Sequence, residues 1–337
     1  MTTALETQTP PPRFRRVAII GLGLIGSSLA RLLRQHGFAD RLVACDADPA
    51  VLAAVRDLEL ADETEGDAVA GVRDADLVVI ATPVSAYAAI ARAIGPALAP
   101  GAILTDVGSV KEAVIRDVMP SLPAGVHFVP GHPVAGTEHS GPRAGFAEMF
   151  RDRWCILTPP AGTDPEAVRR VAAMWEAGGM RVVEMSAEHH DKVLAMTSHL
   201  PHLIAYTIVS TATDLEESLQ SEVIKFSAGG FRDFTRIAAS DPVMWRDVFL
   251  NNREAVLDTL QRFTEYHSLQ GAFGRRATIE QAKGILMARQ AVNGDKAFAL
   301  LRQHSQNTGR KLADVAAAVV ESHLLLLPPA ALPPAAD

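Results

Sequence analysis

The chain has little cysteine, no excess of positive charge and no long apolar run. Its two cysteines, Cys45 and Cys155, are too few for a disulfide framework or a cysteine-based zinc site, which favours a cytoplasmic enzyme. The formal net charge of −7 is not that of a general nucleic-acid binder. No uninterrupted apolar run reaches about 18 residues, so we expect no membrane span. With 48% hydrophobic and 21% charged residues, the composition is typical of folded globular proteins.

The length of 337 residues and two changes of pattern predict several domains. Residues 15–185 alternate strand-like apolar runs with helical stretches, which predicts an α/β Rossmann-type domain with a doubly wound, mostly parallel sheet. Residues 186–267 have helical spacing without strands and predict an all-α domain. Residues 268–323 predict a short three-helix segment. We expect residues 1–14 and 324–337, rich in threonine, proline or alanine, to form a disordered lead-in and a flexible tail.

The elements of the first domain can be delimited from these runs. The predicted strands are Val17–Ile20, Arg41–Cys45, Leu77–Ile80, Ile103–Asp106, His127–Pro130, Cys155–Thr158 and Arg181–Glu184. The helices predicted between them include Ser27–His36, Pro49–Leu58 and Pro165–Ala177. Since the strands of a doubly wound sheet end at one edge, the loops that follow them should line a ligand crevice.

A glycine fingerprint follows the first predicted strand. The residues Gly21-Leu22-Gly23-Leu24-Ile25-Gly26 have the spacing G-x-G-x-x-G and lead directly into a helix. Such a turn brings backbone N–H groups to a pyrophosphate at the helix N-terminus. Asp46, 20 residues after Gly26, would accept hydrogen bonds from a ribose and repel a 2′-phosphate. The pattern predicts an NAD site; the alternative is a glycine-rich turn beside a surface aspartate.

Further candidates lie in loops after other predicted strands. Thr82 and Pro83 should flank the cofactor because their loop ends a strand at the crevice. Ser109 lies in D-V-G-S-V-K and His132 in G-H-P-V-A-G-T-E, both after strand-like runs. A dehydrogenase that oxidises a carbinol needs a group to take the hydroxyl proton, and neutral histidine suits that task. We predict His132 as the catalytic base, with Ser109 orienting it or the hydroxyl.

The helical domain carries a pair of histidines. In Ser198-His199-Leu200-Pro201-His202 the two imidazoles lie near one helical face. A histidine pair suggests a metal, but no H-E-x-x-H motif or carboxylate triad accompanies it, so we predict no metal site. His189 and His190 carry no motif, and we expect them at the surface.

Two arginines, Arg232 and Arg236, follow four residues apart in the same domain. Guanidinium groups bind carboxylates through two parallel hydrogen bonds, which favours an acidic small molecule as the ligand. The alternative is that Asp233 and Asp241 pair with these arginines and hold the helices together. The residues alone do not separate the two interpretations.

Five motifs in order closely resemble the prephenate/arogenate dehydrogenase family of tyrosine biosynthesis. They are G-L-G-L-I-G-S-S-L-A, D-V-G-S-V-K, G-H-P-V-A-G-T-E-H-S-G, S-H-L-P-H and G-G-F-R-D-F-T-R-I-A-A-S-D-P-V-M-W-R-D, and they span about residues 15–265. The resemblance implies an oxidative decarboxylation in which hydride passes from the ring carbon bearing the 4-hydroxyl to NAD⁺ and CO₂ departs. The product is 4-hydroxyphenylpyruvate from prephenate or tyrosine from arogenate, and the sequence leaves that choice open. The family's helical domain forms a homodimer.

The resemblance also implies roles for single residues. His132 would hold and deprotonate the 4-hydroxyl, supported by Ser109. Arg236 would bind a substrate carboxylate, with Arg232 a further candidate. The remaining expected substrate contacts are His202, the nearby His199, Thr137 and Glu138.

The segment from about residue 268 resembles a different family, the ANTAR RNA-binding domain. The resemblance rests on A-T-I-E-Q-A-K-G-I-L-M. Independently, the amphipathic spacing, broken at Asn293-Gly294 and Thr308-Gly309, predicts helices over Arg276–Arg289, Asp295–Gln306 and Lys311–Ser322. Residues 271–323 carry eight Lys/Arg against four Asp/Glu, a basic excess within an acidic chain. Its predicted apolar face is Ile279, Ala282, Leu286, Phe298, Leu301, Leu312, Val315 and Val319, and the RNA-contact candidates are Lys283, Arg302, Arg310 and Lys311. Alternatively, these helices replace the end of the dimerisation domain.

Two other functions stay open at this stage. A 3-hydroxyacid dehydrogenase also joins a Rossmann domain to helices, but its lysine base would have to be Lys192 or Lys225, and neither lies in a matching motif. An RNA-binding regulator would use the dehydrogenase-like half only to sense NAD or an aromatic precursor.

Overall fold

The computed structural model describes residues 13–215, 229–266 and 269–324. Most of the expected lead-in and of the expected tail lies outside these residues. The chain divides into two compact units, Met1–Thr259 and Leu260–Asp337.

A six-stranded parallel sheet is the centre of the first unit. Its order is β3-β2-β1-β4-β5-β6, which confirms the predicted doubly wound sheet. The three-residue β3 was not predicted because its sequence, Glu-Thr-Glu, has no apolar run. The strands are β1 Phe14–Ile20, β2 Ala39–Cys45, β3 Glu63–Glu65, β4 Leu77–Ile80, β5 Ile103–Asp106 and β6 His127–Val129.

Both faces of this sheet are covered. Val17 and Ile19 of β1 pack on one side with Trp175, whereas Ala18 and Ile20 pack on the other. Since side chains alternate along a strand, a sheet buried on both faces shows a continuous apolar run, as β1 does. The covering helices are α1 Leu24–His36, α2 Pro49–Asp57, α3 Ala68–Gly71, α4 Tyr87–Ile94, α5 Glu112–Val118 and α6 Pro165–Ala177.

A second sheet contains β7 Gly131–Pro133, β8 Trp154–Leu157 and β9 Arg181–Glu184. The sequence pattern had placed these segments in one continuing sheet, with His132 in a loop, and that expectation is wrong. His132 lies within β7 and pairs with β8 in antiparallel register. Pro130 lacks an N–H for a strand ladder, so the main sheet ends before it and the chain enters a new one.

The all-α part begins with a long helix that contains a π-helical turn. Pro201 cannot donate to the helix and its ring crowds the carbonyl four residues earlier, which accounts for the wider turn at Ala195–His199. In the described residues of this part, the helices are α7 Ala187–Leu194, α8 Leu200–Thr213, α9 Gly229–Thr235, α10 Pro242–Asn251 and α11 Arg253–Tyr266. A short 3₁₀ turn, Arg236–Ala239, precedes α10.

By length and composition alone, the continuous helix Ala187–Thr213 is long and apolar enough to span a membrane. The sequence predicted no such helix, because polar residues interrupt its apolar run. Length and composition are weak evidence for a span, since core helices share them. Moreover, the buried Asp191 of this helix accepts backbone N–H bonds from Lys111 and Glu112, which attach α7 to the Rossmann-type domain.

Residues 269–324 of the second unit form three helices, as predicted. They are α12 Leu269–Gln290, α13 Gly294–Thr308 and α14 Leu312–Leu324, and they enclose a core of Ala282, Leu301, Val315 and Ala316. The predicted apolar face is wrong at Phe298, which is 39% exposed, whereas its neighbour Ala297 is buried. Asn293 caps α13, and this start places residues 297 and 301, one helical turn apart, on the inner face.

The glycine turn provides a test of packing. A methyl group added at Gly26 would overlap the carbonyl oxygen of Gly21, whereas at Gly23 nothing lies within 4 Å. We therefore expect Gly26→Ala to lower the free energy of unfolding by about 1–3 kcal/mol, the usual cost of overpacking. Gly23→Ala is the matched control and should leave the thermal midpoint nearly unchanged. Equal midpoints for the two variants in calorimetry would contradict the packing argument.

Candidate active site

The glycine turn is built to leave one open position. Gly21 has φ +94° and a Cβ there would lie 2.7 Å from the carbonyl oxygen of Ala81, so this residue cannot carry a side chain. Gly23, by contrast, faces open space. The first turn of α1, with Leu24 and Ile25, has no side-chain cap, which leaves its N–H groups free for an anion.

The acidic residue after β2 is attached to this turn. Oδ2 of Asp46 accepts the N–H of Leu22 at 2.9 Å, and Oδ1 accepts the N–H of Asp48 at 3.0 Å. Each carboxylate oxygen keeps acceptor capacity for a ligand hydroxyl. Thr82 packs its methyl group against Gly21, and the exposed Pro83 follows it. The turn, the helix N-terminus and Asp46 thus fit a dinucleotide.

A buried ion pair connects the loop of Ser109 to the strand of His132. Lys111 is fully buried, and its Nζ donates to Oδ2 of Asp106 at 2.6 Å and to the carbonyl of Gly131 at 2.7 Å. Asp106 also accepts the N–H of Gly131 at 3.1 Å. Burial lowers the pKa of Lys111, and Asp106 opposes that shift. The half-buried Ser109 lies within the segment that this pair holds in place.

His132 belongs to a chain of three hydrogen-bonded groups. Its Nδ1 lies 2.8 Å from Nε2 of His190, and Nδ1 of His190 lies 2.7 Å from Oδ1 of Asp191. His190 is fully buried, so the expectation that it lies at the surface is wrong. Burial lowers the pKa of His132 well below 6.5, which keeps its imidazole neutral and able to accept a proton.

The two histidines predicted near one helical face lie beside a tryptophan. His202 stacks on Trp245 with ring centroids 3.6 Å apart, and its Nδ1–H donates to the carbonyl of Ser198 at 2.8 Å. His199 is fully buried, and its Nδ1 accepts Nδ2–H of Asn252 at 3.0 Å. Burial lowers the pKa of His199 to about 4. Of this pair, only His202 retains access to solvent.

The arginine motif meets the loop that follows His132. A guanidinium nitrogen of Arg236 lies 3.7 Å from a carboxylate oxygen of Glu138, and the Arg236 side chain is 61% exposed. Asp241, one of the two alternative partners, instead caps α10 by accepting the N–H groups of Val243 and Met244. Arg232 is exposed on α9, and Thr137, also exposed, accepts the N–H of His139.

Several residues that shape this site were missed from the sequence. His190, Asp191 and Asn252 carry no motif, because the buried face of a helix depends on what packs against it. Lys111 and Asp106 had a signal, since both lie in the D-V-G-S-V-K motif, but their spacing does not reveal burial. The rival base Lys192 is exposed and pairs with Glu188 at 2.5 Å; Lys225 lies outside the described residues. Within the described parts of the chain, no cluster of three His, Cys, Asp or Glu is placed to hold a metal.

Three family models match the chain in succession. Residues 29–184 match the nucleotide-binding domain of prephenate dehydrogenase, and residues 186–271 match its dimerisation domain. Residues 267–320 match the ANTAR domain.

Individual relatives agree with these matches. Cyclohexadienyl dehydrogenase of Zymomonas mobilis is 46% identical over 250 residues, which cover 74% of this chain and 85% of the relative. Prephenate dehydrogenase of Bacillus subtilis is 37% identical over 251 residues, 74% of this chain and 67% of the relative. The structure of prephenate dehydrogenase from Aquifex aeolicus, in complex with hydroxyphenyl propionate and NAD⁺, superposes with a TM-score of 0.70 at 34% identity, covering 87% of this chain and 97% of that one. The chain therefore belongs to the prephenate dehydrogenase family of NAD-dependent dehydrogenases and carries an ANTAR domain at its C-terminal end.

Proposed function

We propose that this protein oxidatively decarboxylates prephenate, arogenate or both. The carrying observation is a buried imidazole, His132, on a strand that a buried ion pair ties to the Rossmann-type sheet. When bound, NAD⁺ accepts the hydride. The residues that hold it are Gly21, Gly23, Gly26, Asp46 and the Thr82-Pro83 loop. The A. aeolicus relative, whose structure contains NAD⁺ and an aromatic carboxylic acid, supports this assignment.

His132 first accepts and later returns the proton of the substrate hydroxyl. It takes the proton of the 4-hydroxyl as hydride leaves the same ring carbon, which produces a ring ketone. Loss of CO₂ from the opposite ring carbon then returns an electron pair to the ring, and the resulting phenolate oxygen regains the proton. Ser109, on the loop tied to β7 through Lys111, orients the hydroxyl.

The groups that recognise the acid lie around the loop after His132. Arg236 binds a substrate carboxylate through its exposed guanidinium, and the carboxylate of Glu138 beside it accepts hydrogen bonds from the ammonium group of arogenate. His202 lines the side-chain pocket from its position on Trp245, while Thr137 and Arg232 add polar contacts at the rim. The buried His199 lies edge-on to the same Trp245 and supports the pocket from the side away from solvent. The cyclohexadienyl dehydrogenase relative supports acceptance of more than one such acid.

We further propose a cytoplasmic homodimer formed through the helical domain, residues 186–267. Met196, Val243, Leu250 and Leu257 are exposed in the single chain, and Leu250 reaches 63%. Exposed apolar side chains mark an association surface where they are contiguous, and Val243 and Leu250 lie two turns apart on α10. The match of residues 186–271 to a dimerisation domain supports a second copy as the partner.

The ANTAR domain is proposed to bind RNA. It has a core of its own, so its helices form a separate unit rather than an extension of another core. Its basic side chains Arg302, Arg310 and Lys311 are exposed, and Lys283 lies over the partly exposed ring of Phe298. Cationic groups beside an exposed aromatic ring suit a phosphate backbone with unstacked bases.

The catalytic assignment is tested by His132→Asn. The change removes the proton acceptor, and we expect kcat for prephenate to fall about 10²- to 10⁴-fold, the usual contribution of a general base. The readout is NADH absorbance with prephenate and, separately, arogenate. The neighbouring exposed His139→Asn serves as a control. A silent wild-type protein with both acids would reject the proposed reaction, and an undiminished His132→Asn rate would reject the role of His132.

Arg236→Gln tests the carboxylate contact. Loss of a charge-assisted bond should reduce kcat/KM about 10- to 100-fold, mainly through a higher KM. The exposed Arg253→Gln, in the same unit, is the matched control and should behave as wild type. Steady-state kinetics that show an unchanged KM for Arg236→Gln would exclude a carboxylate contact at this residue.

RNA binding is tested on the full chain with a hairpin RNA and a DNA hairpin of the same sequence. Arg302→Gln should weaken RNA binding and reduce the salt dependence, by about 0.7–0.9 in the logarithmic slope for each lost phosphate contact. Arg289→Gln, an exposed arginine of the same unit, should change binding less. Absence of RNA binding by the wild-type chain, or equal effects of the two variants, would contradict the proposed surface.

A further inference from the structure

We propose that His190 and Asp191 are positioning residues that hold His132 in the tautomer with its proton on Nδ1 and its lone pair on Nε2. The inference rests on the proposed function, because it assigns the atom of His132 that receives the substrate proton. Neither His190 nor Asp191 lies in a motif of the sequence.

As a carboxylate, the side chain of Asp191 can only accept hydrogen bonds. Its Oδ1 accepts the backbone N–H of Lys111 at 2.8 Å, and its Oδ2 accepts that of Glu112 at 2.9 Å. Two fixed donors therefore set the orientation of the carboxylate. The 2.7 Å contact between Oδ1 and Nδ1 of His190 must then place a proton on that nitrogen.

The proton position on His190 determines the one on His132. A neutral imidazole has one N–H, so Nε2 of His190 is an acceptor once Nδ1 is the donor. His190 is fully buried, and burial lowers its pKa, which favours this neutral form. The 2.8 Å contact from His190 Nε2 to His132 Nδ1 consequently requires Nδ1–H on His132. The lone pair of His132 then lies on Nε2, the nitrogen left for the substrate.

The same chain supports the imidazolium that forms after proton transfer. His132 then carries N–H on both nitrogens, and its Nδ1–H still donates to His190 without rearrangement. The carboxylate of Asp191 lies at the far end of the chain and favours the positive charge. A carboxylate that fixes the tautomer of a general base has this dual effect in hydrolytic triads.

The first test reads the tautomer directly, in the protein without substrate. Long-range ¹H–¹⁵N spectra of ¹⁵N-histidine-labelled protein distinguish Nδ1–H from Nε2–H imidazoles, and the His132→Asn spectrum identifies the signals of His132. We expect Nδ1 protonated and Nε2 unprotonated in the wild type. A His132 that carries its proton on Nε2 would overturn the proposal, whatever the enzyme's activity.

The second test separates positioning from folding. His190→Leu removes the acceptor and should lower kcat about 10- to 100-fold, the usual effect of losing the partner that orients a functional histidine, with a smaller change in KM. His190→Gln places an amide oxygen near the former Nε2, so it should keep His132 in the Nδ1–H form and recover most of kcat. The adjacent exposed His189→Leu is the matched control and should match wild type.

These outcomes distinguish the inference from the proposed function. If wild-type protein oxidises neither acid, the proposed reaction fails while the spectra still report the tautomer. If it is active but His190→Leu keeps full kcat, or His190→Gln is no better than a folded His190→Leu, the positioning role is rejected and the reaction stands.

Discussion

The site depends on one buried charge. The ammonium of Lys111 has no contact with solvent, and removing such an ion from water costs several kcal/mol unless it is paired. Asp106, at the end of β5, and the carbonyl of Gly131, at the start of β7, provide that pairing. The two sheets are therefore joined at the point from which His132 projects, and the position of the imidazole follows from the need to satisfy this lysine.

A continuous set of polar contacts extends from there into the helices. The carboxylate of Asp191 accepts hydrogen bonds from the backbone N–H of Lys111 and from the imidazole of His190. The backbone carbonyl of Asp191 accepts Nδ2–H of Asn252, and the same amide nitrogen contacts His199. Asp191, His190 and Asn252 each take part in two or more of these buried contacts, which restricts them to a single geometry. The exposed Arg236–Glu138 pair is different, since solvent weakens it and leaves both groups free to bind a charged ligand.

Sequence periodicity predicted most of the fold because the main sheet is buried on both faces and its helices are amphipathic. Predictions from periodicity were wrong where the local sequence does not reveal which distant segments a residue contacts. His132 was singled out by its motif but placed in a loop, since a three-residue segment that follows Pro130 and ends in Pro133 does not resemble a strand. Phe298 was assigned to the core because it is apolar, although the start of α13 directs Ala297 inward instead. The turn at Gly21–Gly26 and the acidic Asp46 were identified because they act through local backbone geometry.

The sequence by itself predicted the glycine turn, the order of the domains and a candidate proton acceptor, since each is a property of neighbouring residues. Only the tertiary structure decided which nitrogen of His132 is engaged. That contact joins residues 58 positions apart, and it exists because α7 turns His190 and Asp191 toward the loop after β5. Which face of a helix is buried, and therefore which histidine is a surface group and which is a partner, is set by packing between distant segments.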